Sequence, residues 1–184
     1  MAFRIVGLTG SLSVSSKTRT LVDLALLQLT TQFDVMSASY DLRDLQPSLG
    51  LASRLEDLEP LPAQIIRSMI TADALILGVP VYKGSYSGLF KHVFDLIDPE
   101  ALRSKPVLLT ATGGGERHAL VIEHQLRPLM GFFEAAALPT GLYASGADYT
   151  DGVPTSPALL ARLERAIGQF VPSIGAGARL THAA

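Results

Sequence analysis

The sequence predicts an α/β protein, a parallel sheet with helices on both faces. Three observations lead there. Strand-like apolar runs alternate five times with helix-like stretches, and strict alternation yields parallel strands joined by crossover helices. The third and fourth of those runs are almost continuously apolar, as strands covered on both faces must be. A length of 184 residues with 48% hydrophobic content suits one domain with a sizeable core.

The strands fall at residues 4–9, 34–40, 74–79, 107–112 and about 138–144. The helices fall near residues 17–29, 61–71, 89–97, 116–133 and 156–171. In the first helix Leu21, Ala25 and Leu29 recur on one face, and in the last Leu159, Leu163, Ile167 and Phe170 do so. Ser156 is placed to cap that last helix, with Pro157 in its first turn. Residues 46–60 are the least regular stretch and read as a surface loop. The domain is expected over residues 1–172, and residues 173–184 read as a mobile tail or an arm swapped between subunits.

Composition removes several classes of function. Fifteen Lys plus Arg against seventeen Asp plus Glu give a net charge of −2, so no basic field recruits nucleic acid. Cysteine is absent, which excludes disulfides, thiolate metal sites and thiol redox chemistry. No apolar run approaches the roughly 20 residues of a membrane span, and the start carries no secretion-signal pattern, so a cytoplasmic location is expected. His92, His118, His124 and His182 have no metal-ligand spacing on one helix face, and no metal site is expected.

In open parallel sheets ligands bind beyond the carboxyl ends of the strands. After the first strand comes Gly10-Ser11-Leu12-Ser13-Val14-Ser15-Ser16-Lys17-Thr18-Arg19-Thr20, dense in hydroxyls, with a helix beginning inside it. Unpaired amides at a helix start, hydroxyl donors and the Lys17 cation together suit a phosphate. The P-loop pattern fails because Ser16 stands where glycine is required, and the dinucleotide fingerprint fails because only Gly7 and Gly10 are present. Asp41 follows the second strand, where a ribose-binding acid could sit. A flavin mononucleotide, whose phosphate loop uses hydroxyls, stays open. After the third strand, Pro80-Val81-Tyr82-Lys83-Gly84-Ser85-Tyr86-Ser87-Gly88 offers a planar face, backbone donors and a sharp turn into a helix. After the fourth, Thr112-Gly113-Gly114-Gly115-Glu116 lets amides lie flat against a ring system.

Together these three loops resemble the NAD(P)H-dependent FMN reductases of flavodoxin-like fold. The likeness runs from the first strand to about Tyr149. It is greatest to the reductase components of two-component methanesulfonate and alkanesulfonate monooxygenases, and His124-Gln125-Leu126-Arg127-Pro128-Leu129 resembles the methanesulfonate branch. The resemblance implies a three-layer α/β/α sandwich, a five-stranded sheet of order 2-1-3-4-5, and FMN with NADPH or NADH as cofactors. Ser11, Ser16, Lys17 and Thr18 would hold the FMN phosphate, with Ser13 near the position where members carry an arginine. Pro80, Val81, Tyr82 and Lys83 would line the isoalloxazine together with Ser87, and Thr112, Gly113 and Gly114 would lie at its polar edge. No catalytic side chain is expected, because hydride passes between the two cofactors while the protein orients them. The implied partners are a flavin-dependent monooxygenase and further copies of this chain, as a homodimer or homotetramer. The rival functions are an electron carrier with tightly held FMN, and a quinone, azo or metal-oxyanion reductase.

The helix at residues 116–133 contains Pro128, which cannot donate to the carbonyl of His124. A plain proline kink and a π-type bulge both answer that loss. The resemblance favours the bulge, since sulfonate-type reductases carry a one-residue insertion here at the oligomer interface, occupied in this chain by His124. Its expected role is to loosen the interface so that flavin can leave.

Overall fold

A computed structural model describes residues 2–174. Strands β1 (Phe3–Thr9), β2 (Val35–Asp41), β3 (Ala74–Pro80) and β4 (Pro106–Thr112) have seven residues each, and β5 (Ala136–Ala137) and β6 (Leu142–Ala144) are short. All six pair in parallel in the order β2-β1-β3-β4-β5, with β6 also on β4. The order agrees with the flavodoxin-like expectation.

Helices α1 (Lys17–Gln32) and α5 (Pro157–Ile174) cover one face; α2 (Pro60–Thr71), α3 (Gly88–Asp95) and α4 (Arg127–Phe132) cover the other. The period-two alternation of β3 divides the core. Ala74 and Ile76 pack beneath α1 and α5, whereas Leu75, Leu77 and Val79 pack beneath the opposite layer. The Ser156 hydroxyl accepts from the N–H of Leu159 at 3.4 Å, so the last helix starts where its sequence signals put it.

Four details differ from the sequence expectation. The fifth strand is split. Pro139 has no N–H to give a neighbour, and a side chain on Gly141 would collide with Ile122 at 2.8 Å. The bulged carbonyls are satisfied from the helices: Arg127 donates to Leu138 and Pro139 at 3.0 and 3.4 Å, and Arg162 donates to Gly141 at 2.7 Å. The long helix expected at residues 116–133 opens with a separate 3-10 turn (Glu116–His118) and ends in the short α4; between them stands a π turn (Ile122–Leu126) that contains His124, where the bulge is expected. Residues 46–60 do not wander over the surface, because two 3-10 turns bury Leu49, Ala52 and Leu58 against the core. Finally, α5 continues through Pro172 to Ile174, beyond the domain end set at residue 172. The rest of the expected tail, residues 175–184, lies outside the described residues.

Helix α1 lies very close to the sheet. A methyl group on Gly7 would stand 2.7 Å from Val22, and one on Gly78 would stand 2.5 Å from Val22 and 2.8 Å from the Thr110 hydroxyl. Gly78→Ala should therefore push α1 away and lower unfolding stability by about 1–3 kcal/mol, the usual cost of overpacking a core. Urea denaturation of the two proteins checks this; an unchanged midpoint would contradict the tight docking.

Candidate functional site

The docking of α1 brings its first turn beside the carboxyl ends of β3, β4 and β6. Ser16 caps the helix, its hydroxyl accepting from the N–H of Arg19 at 3.2 Å. The amides of Lys17 and Thr18 are then first-turn donors without an intrahelical acceptor. The Thr18 side chain is buried, and its hydroxyl shares a 2.6 Å hydrogen bond with that of Thr112, which clamps the helix start to the end of β4. What Thr18 can offer a ligand is thus its amide rather than its hydroxyl.

A cleft of about 270 Å³ opens there, lined by Lys17, Pro80, Val81, Thr112, Gly113, Gly114, Ala144, Ser145, Gly146 and Tyr149. The structure therefore gathers six expected residues, from three separate loops, into one place. Ser11, Ser13 and Ser16 stand in the loop leading to α1. Ser11 accepts from the N–H of Ser13 at 3.1 Å, and the Ser13 hydroxyl donates to the carbonyl of Ser15 at 3.0 Å. Ser87 is committed to structure, capping α3 through the N–H of Phe90 at 3.2 Å and donating to the Gly10 carbonyl at 3.4 Å. It joins two of the loops rather than lining the cleft.

Pro80 and Val81 lead into a tight turn. Tyr82 and Ser85 exchange backbone hydrogen bonds of 2.8 and 3.1 Å, while Lys83 (φ 51°) and Gly84 (φ 88°) both take left-handed backbone angles. Two such residues in succession make a hairpin turn of type I′, which glycine tolerates and lysine adopts at a cost. Tyr82 is left 49% exposed at its base.

Two tyrosines that sequence reasoning passed over organise the far side. The Tyr143 hydroxyl donates to the Gly115 carbonyl at 2.6 Å and underlies Gly113, where a side chain would meet it at 2.3 Å. Burial and the nearby Glu116 carboxylate push its phenol pKa up, which preserves the donor. Tyr149 donates to the Lys17 carbonyl at 2.9 Å, and the Lys17 ammonium lies 5.3 Å from the centre of its ring. Burial, aided by Asp148, pushes the Tyr149 phenol up as well. The rule that drew attention to the ends of strands one, three and four applies equally to the fifth; applied there, it points to Tyr143, Ser145 and Tyr149.

Asp41 is not available to a ribose. Burial alone would raise its carboxyl pKa, but hydrogen bonds from Arg43 and the charges of Arg43 and Arg19 outweigh that and hold it low. Arg43 and Arg19 reach it at 2.6 and 3.1 Å. Among the described residues no cluster of His, Asp or Glu could hold a metal ion. His92 meets the Ala52 carbonyl at 2.9 Å, His118 meets Arg117, His124 is exposed in the π turn, and His182 lies outside the described residues.

The cleft thus presents a helix start, one ammonium group and a wall built largely of backbone, the donor set that suits a phosphorylated flat ring. Fold and cleft define a flavodoxin-like oxidoreductase. The chain belongs to the NADPH-dependent FMN reductase family, whose sequence model matches residues 3–150, and it is a flavin reductase. It is 45% identical to the NADH-dependent FMN reductase SfnF of Pseudomonas fluorescens (strain Pf0-1), over 94% of this chain and 92% of that one. It is 42% identical to an FMN reductase (NADPH) of Pseudomonas aeruginosa, over 97% and 96%. Among solved structures it is similar to an NADH:FMN oxidoreductase (EMOB) in its apo form, with a TM-score of 0.81, 28% identity and coverage of 92% and 88%.

Lys17 is the one ammonium group lining the cleft. Lys17→Ala should weaken FMN binding by at least about tenfold, since a charge-assisted hydrogen bond is worth roughly 1.5–3 kcal/mol. Riboflavin, which lacks the phosphate, should lose little. Titration of flavin fluorescence measures both, and equal losses would remove Lys17 from the phosphate.

Proposed function

We propose that this chain reduces FMN with NADPH or NADH and releases the reduced flavin to a separate flavin-dependent monooxygenase of the methanesulfonate or alkanesulfonate type. The observation that carries the reading is the make-up of the cleft. Tyr149 is its one aromatic lining residue, and that ring is engaged by the Lys17 ammonium. A flavin held there is not sandwiched between aromatic side chains, so one face is left for a nicotinamide. That arrangement favours a reductase over an electron carrier.

Bound FMN supplies the hydride-accepting ring. The chain's contribution is to bind and orient. The amides of Lys17 and Thr18, the Ser11 and Ser16 hydroxyls and the Lys17 ammonium hold the phosphate. Pro80, Val81 and the Tyr82–Lys83 turn flank the ring, and the backbone of Thr112, Gly113 and Gly114 lies along its polar edge. Ser13 is a neutral residue in the phosphate loop, which suits a flavin that leaves after each turnover. The reading places the enzyme in the cytoplasm, where reduced nicotinamides are supplied. Among the described residues no helix is long and apolar enough to cross a membrane.

The same proposal includes self-association. Between α3 and the segment of π turn and α4 lies a groove of about 570 Å³, lined by Phe94, His124, Pro128, Leu129, Phe132 and neighbours. Phe132 is 67% exposed, which is costly for a large apolar ring outside an interface. A second copy covering this groove would place His124 and Pro128 between subunits, where the π turn would keep the contact loose enough for flavin exchange.

Two measurements test these statements. NADPH and NADH oxidation should be fast with free FMN and slow without it; fast turnover with a quinone alone would overturn the reductase reading. Light scattering at micromolar concentration should give the mass of a dimer or tetramer, and a monomer with and without FMN would contradict the interface.

A further inference from the structure

The turn at residues 82–85 extends directly from Pro80 and Val81, which line the cleft. It carries two left-handed residues in succession, and its Tyr82, Lys83 and Gly84 are exposed. Its own backbone pair closes it, but closure does not fix where it stands relative to the cleft. Among the described residues, these four make one side-chain hydrogen bond. The Ser85 hydroxyl donates to Gln125 Oε1 at 3.0 Å, forty residues along the chain.

Gln125 stands inside the π turn, half-buried between exposed His124 and buried Leu126. The turn is anchored on both sides. Ile122 and Leu126 are buried in the core, and the N–H of Arg127 reaches back five residues to the Ile122 carbonyl. Arg127 in turn pairs with Glu123 at 2.6 Å and with the carbonyls of the split fifth strand. Gln125 is therefore presented from a firmly held element to the tip of a turn that is tied at its ends but, among the described residues, has no other side-chain hydrogen bond of its own. It also lines the apolar groove beside His124 and Pro128.

We propose that Gln125 is a positioning residue for the flavin ring: by accepting from Ser85 it fixes the turn at residues 82–85 against the ring side of the cleft. The proposal rests on the FMN reading of that cleft. It gives the π turn a definite task within one subunit, to aim a side chain at the flavin loop. It also makes the flavin loop answerable to whatever covers the groove, because one side chain belongs to both.

The test is equilibrium binding of FMN and of riboflavin, followed by flavin fluorescence, to four proteins: wild type, Gln125→Leu, Ser85→Ala and the double variant. Each single variant should weaken both flavins equally, by about three- to tenfold, the range for loss of one neutral hydrogen bond. The double variant should lose no more than either single one, because both remove the same bond. Gln125→Glu retains an acceptor and should bind within about twofold of wild type. Unchanged binding by Gln125→Leu, additive losses in the double variant, or loss of FMN alone would each overturn the proposal while leaving the cleft reading intact. Wild-type protein that binds neither flavin would overturn the cleft reading and this inference with it. Ser85 lies in a surface turn, so Ser85→Ala tests the same bond if Gln125→Leu fails to fold.

Discussion

The structure depends on how closely one helix approaches one sheet. Helix α1 rests on two glycines, Gly7 in β1 and Gly78 in β3, and each meets Val22 at a distance that leaves no room for a side chain. The approach brings Thr18 within hydrogen-bonding distance of Thr112 on β4, so the first turn of the helix is bolted to the strand whose end forms the glycine-rich loop. From that one contact follow the place of the Ser16 cap, the direction of the first-turn amides, the reach of Lys17 over Tyr149, and the floor of the cleft. Two missing methyl groups thus do more to place the site than any charged residue in it.

Much of the fold was legible because the relevant signals are local. The four long strands read correctly to within a residue or two, since β1, β3 and β4 are largely apolar, β-rich runs and β2 follows a clear helix end. The elements that misread are those whose shape is decided from afar. The fifth strand is interrupted because Gly141 sits against Ile122, and it survives interruption because Arg127, Arg162 and Gln169 satisfy its backbone. The stretch at residues 116–133 has a regular apolar stripe and reads as one helix; Pro128 marks the wide turn just upstream of it, as expected, but the separate 3-10 turn at Glu116–His118 was not foreseen. In the cleft, Lys17, Pro80, Val81, Thr112, Gly113 and Gly114 were legible from strand-end chemistry. The same rule reaches Tyr143 and Tyr149 at the end of the fifth strand, but their roles were not legible, because these lie in contacts with Gly115 and Lys17, which are distant in sequence.

The cleft contrasts with its surroundings in the kind of chemistry it holds. Nearby, at the end of β2, Asp41 is locked between Arg19 and Arg43, and Arg19 also pairs with Asp23. Those charges neutralise one another and fix the edge of the sheet. Inside the cleft the donors are chiefly backbone amides and hydroxyls, with a single ammonium. Such a wall binds and orients, which is what a site needs when the reacting groups arrive with the bound molecules.

The interrupted fifth strand bears on more than the site. A parallel sheet usually ends in a row of unsatisfied amides and carbonyls that can recruit a strand from another molecule. Here that margin consists of two- and three-residue pieces, and between them the carbonyls of Leu138, Pro139 and Gly141 are already occupied by arginine side chains. An added strand would find few consecutive backbone partners there. This border therefore gives the edge-to-edge growth that leads to fibres little to build on.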